Sequence, residues 1–117
     1  MSEHTQQVRL MATLSHKHPE IYELMFAIPN GGLRNARVAA QLQGEGVKPG
    51  VPDLFLAAPR GPWLGLFVEM KDEHTGKLSK DQEAWVDRLI EQRYRVVVCH
   101  GAEKALEDIL SYWGIAW

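Results

Sequence analysis

The sequence predicts an α/β fold in which helices flank a central mixed β-sheet. Helical and extended hydrophobic patterns alternate along the chain, in the order helix, weak strand, helix, strand, strand, helix, strand, helix. The two middle strands are apolar on both faces, which is typical of strands that are covered on two sides. With 117 residues, of which 45% are hydrophobic and 24% charged, the chain suits one globular domain spanning residues 1–117.

The first three predicted elements are a helix, a short strand and a second helix. Ser2 is placed to cap a helix that runs to about His16. The apolar stripe of this helix comprises Val8, Leu10, Met11 and Leu14. Residues 22–28 suit either a short strand or a buried helical turn, and residues 29–32 then favour a turn. Residues 34–43 have the spacing of a second helix.

A β-hairpin, followed by a strand between two helices, is predicted for the rest of the chain. Residues 44–52 contain three glycines and two prolines and therefore favour a loop. Strands are expected at residues 53–58 and 64–71, joined by a turn at 59–62. The remaining predicted elements are a helix at 79–93, a β-branched strand at 94–100 and a helix at 102–112.

Composition excludes several classes of protein. Cys99 is the only cysteine, so neither an internal disulfide nor a four-cysteine zinc site can form. No apolar run approaches the ~20 residues that span a bilayer, and the first residues lack the pattern of a signal peptide. We therefore expect a cytoplasmic protein that makes no membrane contact.

The charge is distributed unevenly along the chain. The net charge of −2 argues against a protein that coats nucleic acid through bulk charge. Residues 34–80 nevertheless carry seven basic and five acidic side chains, which makes this middle region locally basic at +2. Two of its five acids are candidate metal ligands, and a bound cation would raise the local charge further.

Gly61 lies near the middle of the predicted hairpin turn. In a hairpin symmetric about Gly61, opposed residues have numbers that sum to 122, so Asp53 faces Glu69 with Cβ atoms ~5 Å apart. Two carboxylates at that distance repel each other, and one of them has a raised pKa unless a cation lies between them. Lys71 projects from the same face as Glu69. The three charges form either an ion cluster at a strand end or a metal site.

The residues around this hairpin resemble a known family. Pro52-Asp53 followed by Glu69-Met70-Lys71 resembles the signature of the PD-(D/E)XK nuclease superfamily. A more specific resemblance, in order and over nearly the whole chain, is to the virus-type replication-repair nuclease (VRR-NUC) family. It is carried by residues 28–32, 46–54, 69–71, 76–82 and 94–96. The resemblance implies a restriction-endonuclease-like αβββαβ core and a small stand-alone protein of a bacterial or phage-infected cell.

The same resemblance implies hydrolysis of DNA phosphodiester bonds with Mg²⁺ or Mn²⁺. The implied metal ligands are Asp53, Glu69 and the main-chain carbonyl of Met70, in keeping with the preference of hard cations for oxygen. The metal would lower the pKa of a bound water. Lys71 would orient that water or neutralise the negative charge that develops on the phosphate.

Gln82 and Glu3 each have two interpretations. In the family, a glutamine on the helix after the Glu-x-Lys strand lies at the active site, and helical spacing directs Gln82 toward the sheet. Ser79 and Gln82 also have the spacing of a capping box, and the two roles can coexist. Glu3 resembles the acidic residue of the family's first helix, which can approach the metal. An acid in a first turn is, however, also favoured by the helix dipole.

The resemblance favours an endonuclease that is selective for branched or four-way-junction DNA in repair, recombination or replication. The alternatives are a non-selective nicking or trimming nuclease and a non-catalytic DNA-binding module. Paired cuts across a junction predict a homodimer, for which Trp63, Trp113 and Trp117 are expected to be exposed. Candidate DNA contacts, each of which is also typical of a solvated face, are Asn30, Arg34, Arg37, Lys48, Lys77 and Lys80.

Overall fold

A computed structural model describes residues 1–29, 35–74 and 76–116 of the protein. Its helices are α1 (Glu3–Lys17), α2 (Pro19–Tyr22), α3 (Ala36–Gly44), α4 (Lys80–Glu91) and α5 (Ala102–Trp113). Its strands are β1 (Met25–Ala27), β2 (Leu54–Leu56), β3 (Leu66–Lys71) and β4 (Arg95–His100). This order confirms the predicted α/β class and αβββαβ core. Within the described ranges, no helix is long and apolar enough to cross a membrane.

The four strands form one mixed sheet in the order β1-β2-β3-β4. The first two pairings are antiparallel, whereas β3 and β4 are parallel and are connected through α4. In the β2–β3 hairpin, Leu54 pairs with Val68 and Leu56 with Leu66, so that the paired numbers sum to 122 as predicted. The register about Gly61 is therefore confirmed.

One face of the sheet forms the hydrophobic core with α1 and α5. Alternate strand residues on this face are buried, namely Met25, Leu54, Leu56, Leu66, Val68, Met70, Val97 and Cys99. Leu10 and Leu14 of α1 and Ala105 and Ile109 of α5 pack against them. Because this face is fully used by the core, the functional groups of the strands lie on the other face.

Gln6 on α1 ties the first helix to the last. Its side chain is 1% exposed, and its Nε2 donates a hydrogen bond to Glu73 Oε1 at 2.7 Å. Its Oε1 accepts a hydrogen bond from the backbone N–H of Ala102 at 2.8 Å. Gly101, which precedes α5, has no side chain that could cap the helix. Gln6 therefore satisfies one of the N–H groups that a helix start leaves without an intrahelical partner.

The opposite face of the sheet carries both aromatic and charged side chains. Ring-to-ring contacts connect Phe26, Phe55, Phe67 and Tyr94. Because side chains alternate along a strand, Asp53, Glu69 and Lys71 project from this same face. The start of α4 approaches it through Gln82, whose side chain contacts Glu69 and Lys71.

One expectation from the sequence is wrong in the N-terminal third. Val8 is 54% exposed and does not belong to the buried stripe, because the core contacts the side of α1 that carries Leu10 and Leu14. Residues 22–28, for which the sequence allowed a short strand or a helical turn, contain the end of the short helix α2 at Tyr22 and then the strand β1. The predicted turn at residues 30–32 and the predicted helix start at Arg34 lie outside the described residues.

The tryptophans are less exposed than the sequence suggested. Trp63 and Trp113 are partly buried and pack against the core. The guanidinium of Arg60 lies 4.0 Å from the centroid of the Trp113 ring and donates a hydrogen bond to the Trp113 carbonyl at 2.9 Å. Trp117 lies outside the described residues. Trp63 and Trp113 are therefore half-buried rather than exposed, and their part in an interface between copies stays a prediction.

Candidate active site

Asp53 and Glu69 meet at the end of the β2–β3 hairpin that lies away from its turn. The register places them opposite each other, and Asp53 Oδ2 accepts a hydrogen bond from the backbone N–H of Met70 at 2.7 Å. Glu69 is only 2% exposed. Burial, a hydrogen bond with the Asp53 carboxyl and repulsion from its charge raise the pKa of Glu69 to about 9. In the absence of a cation, Glu69 therefore keeps its proton at neutral pH, and the two carboxyl groups do not both carry a charge.

Lys71 lies two residues beyond Glu69 on the same face and is also buried. Its Nζ donates a hydrogen bond to Gln82 Oε1 at 3.0 Å. Gly76, with a φ of +103°, packs against the aliphatic part of Lys71, and a Cβ at residue 76 would lie 3.1 Å from the lysine Cδ. The lysine charge opposes the rise in the pKa of Glu69 but does not cancel it.

The side chain of Gln82 completes the capping box and also contacts the charged groups of the candidate site, while its part in catalysis stays a prediction. Its Oε1 accepts hydrogen bonds from the backbone N–H of Ser79 at 2.9 Å and from Lys71 Nζ at 3.0 Å. Its Nε2 donates a hydrogen bond to Glu69 Oε2 at 3.3 Å. The Ser79 side chain accepts a hydrogen bond from the Gln82 N–H, which completes the capping box of α4. The start of α4 is thus connected directly to the charged groups of β3.

Asp53, Glu69 and Gln82 border an open cleft of about 280 Å³. Glu3 and Asp81 line the same cleft as Asp53 and Glu69. The negative charge of Glu3 also contributes to the raised pKa of Glu69, so the structure brings Glu3 to the site as the resemblance implied. Asp81 was not predicted as a site residue, although it stands beside Gln82 in the first turn of α4.

Gly50 holds the loop before β2 close to the start of α4. Its φ is +88°, and a Cβ at this position would lie 2.6–2.8 Å from atoms of Asp81. Only glycine combines this backbone conformation with so close an approach. The packing of Gly50 on Asp81 therefore fixes the distance between the loop that leads to Asp53 and the helix that carries Gln82.

The donor chemistry of the site fits a hard divalent cation. Asp53 and Glu69 provide carboxylate oxygens at the same place, and a cation bound between them would replace the proton of Glu69. Within residues 1–29, 35–74 and 76–116, no three His, Cys, Asp or Glu side chains are close enough to hold a metal ion by themselves. Further ligands would have to come from the backbone, water or the substrate, and the Met70 carbonyl stays a prediction in that role.

The predicted DNA contacts are not gathered at the cleft. Arg37, Lys48, Lys77 and Lys80 are exposed and do not line it. Lys48 and Lys80 are, however, next in sequence to lining residues, on the loop before β2 and in the first turn of α4. Asn30 and Arg34 lie outside the described residues. The basic residues therefore stay predictions as DNA contacts.

Comparison with known proteins identifies the family of this chain. The sequence model of the VRR-NUC domain matches residues 1–103, and the chain belongs to that family. A solved structure titled VRR_NUC domain protein has a TM-score of 0.86 and 23% identity, and the match covers 99% of this chain and 91% of that chain. This likeness shows a shared fold. The comparison with curated proteins gives no match. The family predicted from the motifs is confirmed, and it implies a nuclease-type fold.

Proposed function

We propose that this protein is a DNA endonuclease that depends on Mg²⁺ or Mn²⁺. The observation that carries the proposal is the close pair of a buried Glu69 and a half-buried Asp53, which lies beside Lys71 and Gln82 at an open cleft. Two carboxylates this close can both be charged at neutral pH only if a cation lies between them, which favours a role in cation binding. Membership of the VRR-NUC family supports nuclease activity in general.

Each side chain of the site has a role that follows from its contacts. Asp53 and Glu69 hold the cation, which when bound polarises the scissile phosphate and lowers the pKa of a water. Lys71 places a positive charge where the phosphate gains negative charge during the reaction. Gln82 keeps the Lys71 ammonium and the Glu69 carboxyl in fixed positions, because it bonds to both. Glu3 adds a further negative charge near the cation.

The substrate class and the assembly belong to the same proposal. We infer selectivity for branched DNA such as a four-way junction, in repair, recombination or replication in the cytoplasm of a bacterial or phage-infected cell. Paired cuts require two active sites related by a two-fold axis, which a homodimer provides. These points are supported by the resemblance of the sequence motifs rather than by the geometry of the cleft.

The test is cleavage of labelled duplex, single-stranded, flap and four-way-junction DNA with Mg²⁺ or Mn²⁺. We expect wild-type protein to cut at least one of these DNAs, and Asp53→Asn and Glu69→Gln to lose cutting while they stay folded. Asp87→Asn removes an exposed carboxylate of α4 and serves as the control with unchanged turnover. Failure of the folded wild-type protein to cut any of them would favour a DNA-binding module, and wild-type turnover in Glu69→Gln would exclude this metal site.

A further inference from the structure

A continuous row of aromatic rings leads away from the candidate active site on the same face of the sheet. This aromatic row consists of Phe26, Phe55, Phe67 and Tyr94. The ring centroids are 5.7 Å apart between Phe26 and Phe55, 4.4 Å between Phe55 and Phe67, and 5.3 Å between Phe67 and Tyr94. The row crosses the sheet from β1, which is an edge strand, to the residue before β4.

The middle of the aromatic row lies two residues along β2 and β3 from the carboxylates. Phe55 is two residues from Asp53, and Phe67 is two residues from Glu69. Two residues of a strand span about 7 Å and return the side chain to the same face. A nucleotide adjacent to a phosphate bound at the two carboxylates would therefore have its base beside Phe55 and Phe26.

Phe26 is the exposed end of this row. It is 52% exposed, whereas Phe55 and Phe67 are half-buried. The Phe55 ring lies close over the backbone of Gly65, where a Cβ would be 2.7 Å from two of the ring atoms. Phe55 is thus held by the sheet, and Phe26 meets it edge-on at an interplanar angle of 71°. The site offers an exposed aromatic side chain that rests on a fixed support.

We propose that Phe26, supported by Phe55, stacks on an unpaired base of the DNA strand next to the bond that is cut. The inference rests on the proposed function and adds a substrate feature to it: at least one nucleotide near the cut is unpaired. An aromatic side chain stacks on every base with little sequence preference, because every base has a π-face. Selection for unpaired bases at this position would distinguish flaps and junctions from intact duplex.

The test measures binding in EDTA, so that it does not depend on cleavage. The probes are two fluorescent duplexes with a short single-stranded arm, one with all bases present and one with abasic positions in the arm. We expect Phe26→Ala and Phe26→Leu to raise the Kd for the arm with bases about tenfold, since stacking of one base contributes on that scale. Phe26→Trp should bind that arm as wild type does.

The abasic arm and a distant control make the test specific. With the abasic arm, we expect wild type and Phe26→Ala to bind equally, because no base is present to stack. Leu110→Ala removes an exposed apolar side chain from α5, which packs on the opposite face, and should change neither Kd. Phe26→Leu retains an apolar side chain, and it replaces Phe26→Ala in the comparison if Phe26→Ala fails to fold.

Two results would overturn the inference. The first is that wild type and a folded Phe26→Leu variant bind the arm with bases with the same Kd. The other is a change of sedimentation mass in Phe26→Leu without a base-dependent change in Kd, which would assign this face to contact between copies. Absence of cleavage by wild type would instead contradict the proposed function, and the binding comparison would still decide whether Phe26 stacks on bases.

Discussion

At the scale of single residues, the proton that Glu69 holds in the folded protein connects stability to pH. The unfolded chain releases the Glu69 proton near the ordinary pKa of 4.5, whereas the folded protein holds it up to a pKa of about 9. Between these values the unfolded state binds fewer protons than the folded state. The free energy of unfolding of the metal-free protein therefore falls as pH rises, by at most about 1.4 kcal/mol per pH unit from this group.

We expect Glu69→Gln to remove this loss of stability. In EDTA, the variant should melt above wild type at about pH 8 and close to it at about pH 5, because glutamine has no proton to release. Thermal melts across this range provide the measurement. Glu91→Gln, at the exposed end of α4, is the control and should not change the pH dependence. A constant difference between Glu69→Gln and wild type at all pH values would contradict the raised pKa of Glu69.

The two roles of Gln82 can be separated with Ser79. Ser79→Ala removes one half of the capping box and should lower stability by about 1 kcal/mol, but it leaves the Gln82 contacts with Lys71 and Glu69 in place. Gln82→Ala removes those contacts as well, and should lower kcat about 10- to 100-fold. Melting temperature and kcat of both variants are the measurements. Equal kcat in the two variants would mean that Gln82 serves the helix cap alone.

At the scale of elements, two glycines of the loop before β2 form a matched pair. Both have positive φ, +88° for Gly50 and +105° for Gly46, so alanine at either position costs about 1–3 kcal/mol in backbone strain. Only Gly50 touches α4, since nothing lies within 4 Å of a Cβ built at Gly46. The pair therefore separates backbone strain from the contact between loop and helix.

We expect Gly50→Ala to lower kcat as well as melting temperature. An added Cβ would push the start of α4 away from the loop and displace Gln82 from Lys71 and Glu69. Gly46→Ala should lower melting temperature alone. Turnover and thermal melts of the two variants test this. A similar loss of kcat in Gly50→Ala and Gly46→Ala would show that activity depends on the conformation of the loop and does not depend on its contact with α4.

The elements also show which features follow from local sequence. The register of the β2–β3 hairpin was predictable because a turn centred on Gly61 and the two-residue period of strands fix it together. That register alone places Asp53, Glu69 and Lys71. The exposure of Val8 was not predictable, because it depends on which side of α1 meets the sheet. The approach of Glu3 and Asp81 to the cleft likewise depends on long-range packing.

At the scale of the whole molecule, the homodimer stays a prediction. Because Trp63 and Trp113 are partly buried, their exposure no longer supports a dimer. The remaining argument for a dimer is that paired cuts need two active sites. Sedimentation at micromolar concentration should give twice the chain mass of 13.2 kDa. A mass near 13.2 kDa without DNA would exclude a stable dimer and leave paired cutting to assembly on the substrate.

The contact that Gln6 makes between α1 and the start of α5 links the number of acids in the cleft to local unfolding of α1. Gln6 bonds to a backbone group 96 positions away, and a contact between such distant parts of a chain carries a large cost of loop closure. Glu3 lies one turn before Gln6 on α1. Any opening that detaches α1 takes Glu3 out of the cleft, whereas the hairpin still holds Asp53 against Glu69. The equilibrium between the docked and the detached first helix therefore sets how often the cleft holds four acids and how often it holds three.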